Sequence, residues 1–262
     1  MGAATTNALE ASAKALDAQS GVDLTVAAEL FAVARALDGS PALASALADK
    51  AAAPEAREKV VAAVFGSLAP ATVALVSAVV AQRWSQTDDL VDAIEELGIR
   101  AASVSSADAD VESELFGVTR VVAQNPQLEL ALGSRLGDDA KKADLVRSLF
   151  AASTSEATVL IVSELVRLPR ERRVRQLLTR AEKIVAAQRG RSVATVTTAK
   201  PLSAAQAEKL ASILSARYNT PVTLNPVVDP AVVGGLRVQI ADDVIDASIA
   251  ARLADLRTRL AG

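Results

Sequence analysis

The sequence contains no cysteine and no histidine. Without cysteine there is no disulfide, no thiolate nucleophile and no cysteine-held zinc. Without histidine the chain lacks the commonest general base near neutral pH and the commonest transition-metal ligand. A reaction site would rest on carboxylates, Lys, Ser or Tyr, so catalysis starts from a weak position and neither metal nor cofactor is expected. Aromatic residues are as scarce, 2% of the chain with a single Trp84 and a single Tyr218, which removes the stacking platforms used on single-stranded nucleic acid.

What is there is aliphatic. Of the 262 residues, 51% are hydrophobic, nearly all Ala, Val, Leu and Ile. Alanine is the best helix former but buries little area, so many close helix contacts must replace a few large anchors. Thin, elongated helical packing is the expectation. The start, Met1-Gly2-Ala3-Ala4-Thr5, has no basic region ahead of an apolar core and does not read as a secretory signal, which implies a cytoplasmic protein. Residues Val60 to Gln82 carry no charge, a length able to cross a bilayer, though Gly66, Ser67, Pro70, Thr72 and Ser77 interrupt it.

An internal repeat decides that case. A shift of 85 positions places Leu30-Phe31 on Leu115-Phe116, Arg35 on Arg120, Pro41 on Pro126, Leu43 on Leu128, Leu47 on Leu132, Phe65 on Phe150 and Leu75 on Leu160. The uncharged stretch then corresponds to Leu145 to Arg167, which holds Arg147, Glu156, Glu164 and Arg167. A segment whose twin is charged is a buried hairpin rather than a span.

Each copy has helical spacing. Leu30, Val33, Ala34 and Leu37 form one stripe and Leu115, Val118, Thr119 and Val122 its counterpart, while Ser40-Pro41 and Asn125-Pro126 open short second helices. Asp138-Asp139 reads as the cap of a helix ending near Phe150. A helix from about Thr87 to Val104 sits at the join, placed either to close the first copy or to open the second. After Gly190, which reads as a helix C-cap, the period becomes that of strands. Val193 to Thr197, Val222 to Val228 and Val233 to Ile240 read as strands. A helix from Ser203 to Tyr218 lies between the first two, with Gln206 at the capping-box position. A last amphipathic helix runs from about Asp246 to Leu260, with Ile249, Leu253, Leu256 and Leu260 on one face. The fold class is therefore mostly α with a small α+β C-terminal module: tandem antiparallel helix bundles followed by a short mixed sheet with helices. The expected division is an N-terminal bundle over 1–104, a second over 105–190 and the module over 191–262.

The sharpest local signature is Val227-Val228-Asp229-Pro230-Ala231-Val232-Val233-Gly234-Gly235-Leu236-Arg237-Val238-Gln239-Ile240, followed by Asp242, Val244-Ile245-Asp246 and Ser248. It resembles the C-terminal signature of the delta subunit of F-type ATP synthases, the bacterial relative of the mitochondrial oligomycin-sensitivity-conferring protein. Upstream, Thr195 to Thr198, Pro201-Leu202-Ser203, Gln206, Leu210 and Pro221-Val222-Thr223-Leu224-Asn225 resemble the family's strand, helix and strand in order. Asn125-Pro126 and Leu128 resemble the "NPxL" turn of its helical domain. The family usually has one helical copy, so the first is an addition, as in the enlarged subunits of high-GC Gram-positive bacteria.

The resemblance implies a non-catalytic peripheral-stalk subunit that resists torque during proton-driven ATP synthesis. Its partners would be the N-terminal tips of the alpha subunits and the C-terminal end of the b subunit. The chain would be present once in a hetero-oligomeric complex on the cytoplasmic face of the cell membrane, with a separate b subunit supplying the anchor. The same resemblance marks Asp229, Pro230, Gly234, Gly235, Arg237, Asp246, Ser248, Leu253 and Leu256 as signature and candidate partner-binding residues.

The residues themselves leave a generic helical-repeat scaffold as the rival reading. Gly234-Gly235 is not followed by Lys-Ser or Lys-Thr or by a helix, so it is no phosphate cradle; between β-branched runs a Gly pair permits positive φ or a bulge. Arg167 to Arg191 holds nine basic residues against Glu171 and Glu182. Nucleic acid is disfavoured by the net charge of −3, which leaves a solvated helix face or a face for an acidic protein partner. Asp88, Asp89, Asp92, Glu95 and Glu96 read as a solvated acidic face more readily than as a cation site, with Asp88, Asp89 and Asp92 free to meet a basic stretch of the stalk or head.

Overall fold

Prolines and small polar side chains set where the helices begin. In the computed structural model, which describes residues 2–134, 137–230, 232, 234–240 and 243–246, α3 (Pro41–Ala48), α4 (Pro54–Phe65), α5 (Pro70–Ala81) and α8 (Pro126–Gly133) each start on proline. There the missing N–H has no helical partner to lose. α2 (Leu24–Asp38), α7 (Val111–Gln124), α9 (Asp139–Phe150) and α10 (Glu156–Arg167) are capped instead by Asp23, Asp110, Asp138 and Ser155, whose side chains accept first-turn N–H groups. α1 (Ala3–Ala18), α6 (Thr87–Ser105) and α11 (Val174–Gln188) complete the helical part. None of the helices among the described residues is long and apolar enough to cross a membrane.

The chain divides into two compact units, Met1–Val185 and Ala186–Gly262. In the first, both copies of the 85-residue pattern feed one continuous apolar core that runs from Ala8 to Val185. The repeat is structural: α3 and α4 recur as α8 and α9 at a shift of exactly the sequence period, and α2 recurs as α7. The loop before α10 is one residue longer than the loop before α5. Leu75 therefore answers to the fully buried Ile161, not to the half-buried Leu160 on which the ungapped shift placed it.

The joining helix plays both parts. By the same shift α1 corresponds to α6 and α6 to α11, so α6 closes the first copy and opens the second. It packs on α1, α2, α3 and α5 on one side and on α10 on the other. Accordingly its buried residues, Leu90, Val91, Ala93, Ile94, Leu97, Gly98, Ile99 and Ala102 among them, go round the helix rather than forming a stripe. Its start is fixed by a capping box of Gln86 and Asp89, and Thr5 of α1 donates its hydroxyl to the same Asp89 at 2.6 Å.

The second unit is a four-stranded sheet. β1 (Ser192–Thr198) pairs in parallel with β2 (Val222–Val228) and antiparallel with β3 (Leu236–Ile240), which pairs antiparallel with β4 (Asp243–Asp246). The parallel step is made by α12 (Ala204–Tyr218), whose Ser203–Gln206 capping box is formed. Ala194, Val196, Val222, Val238, Ile240 and Leu214 make the core between sheet and helix. Before β1, α11 ends in a Schellman pair: Gly190, at φ 65°, donates to the Ala187 carbonyl and Arg191 to that of Ala186. β4 was not expected, and Asp246 ends this strand rather than starting a helix. Two apolar residues between aspartates are too short a run to announce a strand; cross-strand pairing with β3 creates it. The amphipathic helix toward Leu260 lies outside the described residues.

Two mid-helix glycines make the packing testable. A Cβ on Gly98 of α6 would stand 3.2 Å from the Phe31 ring, whereas one on Gly117 of α7 would meet nothing within 4 Å. Gly98→Val should lower the denaturation free energy by about 2 kcal/mol through overpacking. Gly117→Ala should raise it by about 0.5–1 kcal/mol through helix propensity alone. Urea titrations of both full-length variants read the two signs.

Candidate partner-binding site

The turn between α10 and α11 is strained. Arg170 and Glu171 have φ of 45° and 66°, a left-handed conformation costing non-glycine residues about 1–2 kcal/mol each. The turn directs Arg170 and Arg172 back onto α6. Arg170 bridges Asp38, Asp88 and Asp92, with Nε 3.1 Å from Asp38 and Nη2 3.3 Å from Asp88. Arg172 holds Glu95 bidentately at 2.9 and 2.7 Å, and Arg180 of α11 adds a third contact to the same carboxylate at 2.7 Å. Glu95 is 2% exposed, so these guanidinium groups supply what water cannot. Arg172 is held above its ordinary range although burial opposes its charge, because Glu95 faces it. Burial draws the Asp92 carboxyl above the usual range against the pull of the arginines. A second bridge joins Arg35 of α2 to Glu164 of α10, which also takes Arg167 at 3.0 Å.

This corrects the sequence reading of the two charged faces. Asp88, Asp92, Glu95 and Glu96 are engaged by Arg170, Arg172 and Arg180 within the chain, and Asp89 caps α6 and binds Thr5. Asp92, Glu95 and Glu96 are thus largely spent within the chain, whereas Asp88 keeps 79% of its side chain exposed. Sequence periodicity missed this because the partners lie 77 to 85 positions apart, and only the shared α6 brings them together.

The repeat also duplicates a polar device. Glu29 of α2 accepts the Ala69 N–H at the start of α5 and the Thr72 hydroxyl. Its counterpart Glu114 of α7 accepts from the Ser155 N–H and hydroxyl and from Thr158 at the start of α10. Burial pushes Glu114 up, but these donors hold it below the usual carboxylate range. Nearby, Glu182 of α11 accepts the Thr119 hydroxyl at 2.7 Å. Burial, reinforced by the charge of Glu112, pushes it up to about 7. On the surface beside these groups, α7, α8 and α9 enclose an apolar groove of about 720 Å³ lined by Gly117, Val121, Leu128, Leu145 and Leu149. Val121 and Leu149 are exposed, as is Val64, which the repeat places opposite Leu149.

The C-terminal signature falls on the sheet. Asp229 donates its N–H to Thr198 as β2 ends, and Pro230 follows in the turn. Gly234 and Gly235 have φ of 68° and 79° and lead straight into β3, so the pair serves backbone conformation. Arg237 stands opposite Asp246 in the β3–β4 register, both exposed, a cross-strand charge pair. Ser248, Leu253 and Leu256 lie outside the described residues. Among the described residues neither edge of the sheet invites another strand. Ser192 donates to Pro221 and Asp229 to Thr198, so odd-numbered β2 residues face β1 and Pro226 turns its missing N–H to the open edge. The Val222 N–H on that edge is taken by Ser215, and β4 at the other edge is short and begins and ends in aspartate.

Residues 98–260 match the family described as ATP synthase delta (OSCP) subunit. The chain belongs to the ATP synthase delta (OSCP) subunit family. The match opens inside α6, at the join of the repeats, so the family's pattern covers the second repeat and the sheet. The delta family also contains chains of this full size. ATP synthase subunit delta of Leifsonia xyli subsp. xyli is 46% identical over 100% of both chains. That of Streptomyces avermitilis is 43% identical over 94% of this chain and 93% of its own. Among solved structures, a chain of the Toxoplasma gondii mitochondrial ATP synthase hexamer matches at 22% identity and a TM-score of 0.40, over 64% of this chain and 97% of that one.

Glu182 sets a pH dependence. Its folded value of about 7 lies above the ordinary 4.5, so the fold favours the protonated form. That contribution is complete below pH 4.5 and is lost as pH rises through 7. Glu182→Gln, which keeps the neutral form at every pH, should gain stability relative to the parent between pH 5 and pH 8, by up to about 3 kcal/mol. Denaturation midpoints of the two proteins across that interval measure the difference.

Proposed function

We propose that this chain is a structural subunit of the peripheral stalk of an F-type ATP synthase, a static link that resists torque and catalyses nothing itself. The observation that carries the proposal is the whole-length identity to ATP synthase delta subunits. In this reading the helical unit engages the N-terminal tips of the alpha subunits and the C-terminal module, 191–262, binds the end of the b subunit. The complex then holds one copy of the chain at the cytoplasmic face of the bacterial membrane. A passive link needs stiffness and well-packed contacts rather than a reactive pocket. Three features support that role: one core through both repeats, ion pairs joining α6 to α11 and α2 to α10, and blocked sheet edges. The second repeat, 105–190, is assigned the alpha-subunit contact, because it lies within the family match and carries the exposed groove at Val121 and Leu149. Asp229, Pro230, Gly234, Gly235, Arg237 and Asp246 are assigned to shaping the module for b, and Ser248, Leu253 and Leu256 to the same surface.

The test is co-purification from membranes through a tag on this chain, together with Gly235→Val. The expected result is capture of the alpha, beta and b subunits by the parent. The variant, forced to place a β-branched residue at φ 79°, should lose b while keeping the alpha-subunit contact. A parent that captures none of the three subunits contradicts the proposal. A variant that keeps b with unchanged thermal stability removes the Gly pair from the assignment.

A further inference from the structure

The basic segment is not wholly consumed by the ion pairs. Of its cations, Arg167, Arg170, Arg172 and Arg180 are tied to Glu164, Asp92 and Glu95, and Arg175 meets Glu129 at 2.9 Å. Arg173 and Lys183 are exposed and form no salt bridge among the described residues. They belong to one groove along α11, of about 550 Å³, lined among the described residues by Arg173, Arg175, Gln176, Thr179, Arg180 and Lys183. No carboxylate among the described residues lines it, and the residues recur at helical steps of three and four. This groove shares Arg173 and Arg175 with a second one of about 760 Å³. In the second, Leu130 of α8 is 74% exposed, the largest exposure of any large apolar side chain described, beside Glu129, already neutralised by Arg175, and Glu171. A chain of net charge −3 thus sets Arg173 beside the most exposed of its described leucines, with Lys183 further along α11.

We infer that the α8–α11 surface docks an acidic, amphipathic segment of another subunit, with carboxylates at Arg173 and Lys183 and an apolar side chain against Leu130. Charge complementarity selects the occupant: a groove whose described lining has guanidinium and ammonium groups and no carboxylate favours a segment rich in Asp and Glu. The adjoining apolar anchor favours a protein over nucleic acid, which would find no aromatic side chain in either groove to stack on. The docking strengthens the grip through charge, so it raises the association rate and depends on salt. The inference rests on the stalk reading, because that reading supplies the neighbouring subunits.

The experiment uses the full-length chain with purified catalytic head and purified b subunit, measuring each affinity at 50 mM and 500 mM NaCl. The variants are Arg173→Glu with Lys183→Glu, and the charge-conserving Arg173→Lys with Lys183→Arg. The expected result is at least a tenfold loss of affinity for one of the two partners at low salt in the charge-reversed protein. The loss should shrink at high salt, the charge-conserving protein should bind like the parent, and all three should melt alike. Equal affinities of parent and charge-reversed protein for both partners overturn the inference while leaving the stalk reading intact. So does an equal loss in the charge-conserving protein, which would make side-chain shape rather than charge the cause. A mixed-sequence single-stranded oligonucleotide is the third probe; salt-dependent binding lost only on charge reversal, with subunit binding unchanged, assigns the groove to nucleic acid and overturns it. A parent that binds neither partner rejects the stalk reading itself.

Discussion

The helical unit depends on α6 being shared. A helix that closes one bundle and opens the next must be apolar on nearly every side, yet it must also carry charge to be held in register. Glu95 resolves the conflict by being buried and bound to two arginines from the far end of the second repeat. Removing such a carboxylate strands the cations that faced it, a loss of about 3 kcal/mol or more in buried pairs. Here Arg172 and Arg180 keep about a quarter of their side chains exposed, which places the loss toward the lower end.

The rest of the architecture follows from that constraint. The turn at Arg170 and Glu171 is forced into the left-handed region because the arginines must reach α6, and the strain is offset by the ion pairs it permits. Because the repeats share a helix, neither is a bead on a string. α2 is tied to α10 both through α6 and through the Arg35–Glu164 bridge. For a static element under torque this is the useful property. The sheet contributes in a different way: Pro226 at one edge and aspartates at the other keep it from recruiting strands, leaving partner contacts to side chains and helices.

Much of this was legible in the sequence, for local reasons. Proline at Pro41 and Pro126, Asp138 before α9, the Ser203–Gln206 box and Gly190 act within a few residues of themselves, so their consequences can be read directly. The repeat was visible because Leu47 and Leu132, or Phe65 and Phe150, occupy the same core sites. What could not be read were pairings across distance. Asp92 and Glu95 look like a solvated flank until α11 is brought beside them. Leu160 looks like the twin of Leu75 until one extra loop residue is counted, and β4 exists only because β3 offers it a ladder. The signature at Asp229 to Arg237 identified the family, whereas its glycine conformations and the Arg237–Asp246 register needed the structure.

The central claim is that the first 185 residues behave as one body clamped at Glu95. Native-state hydrogen exchange of the full-length chain, compared with Glu95→Ala, tests it most directly. The expected result is that the slowest amides of α2, α6 and α10 share one opening free energy, and that the substitution lowers all three by the same amount. If α2 keeps its protection while α10 and α11 lose theirs, the two repeats are separate bodies and the account fails.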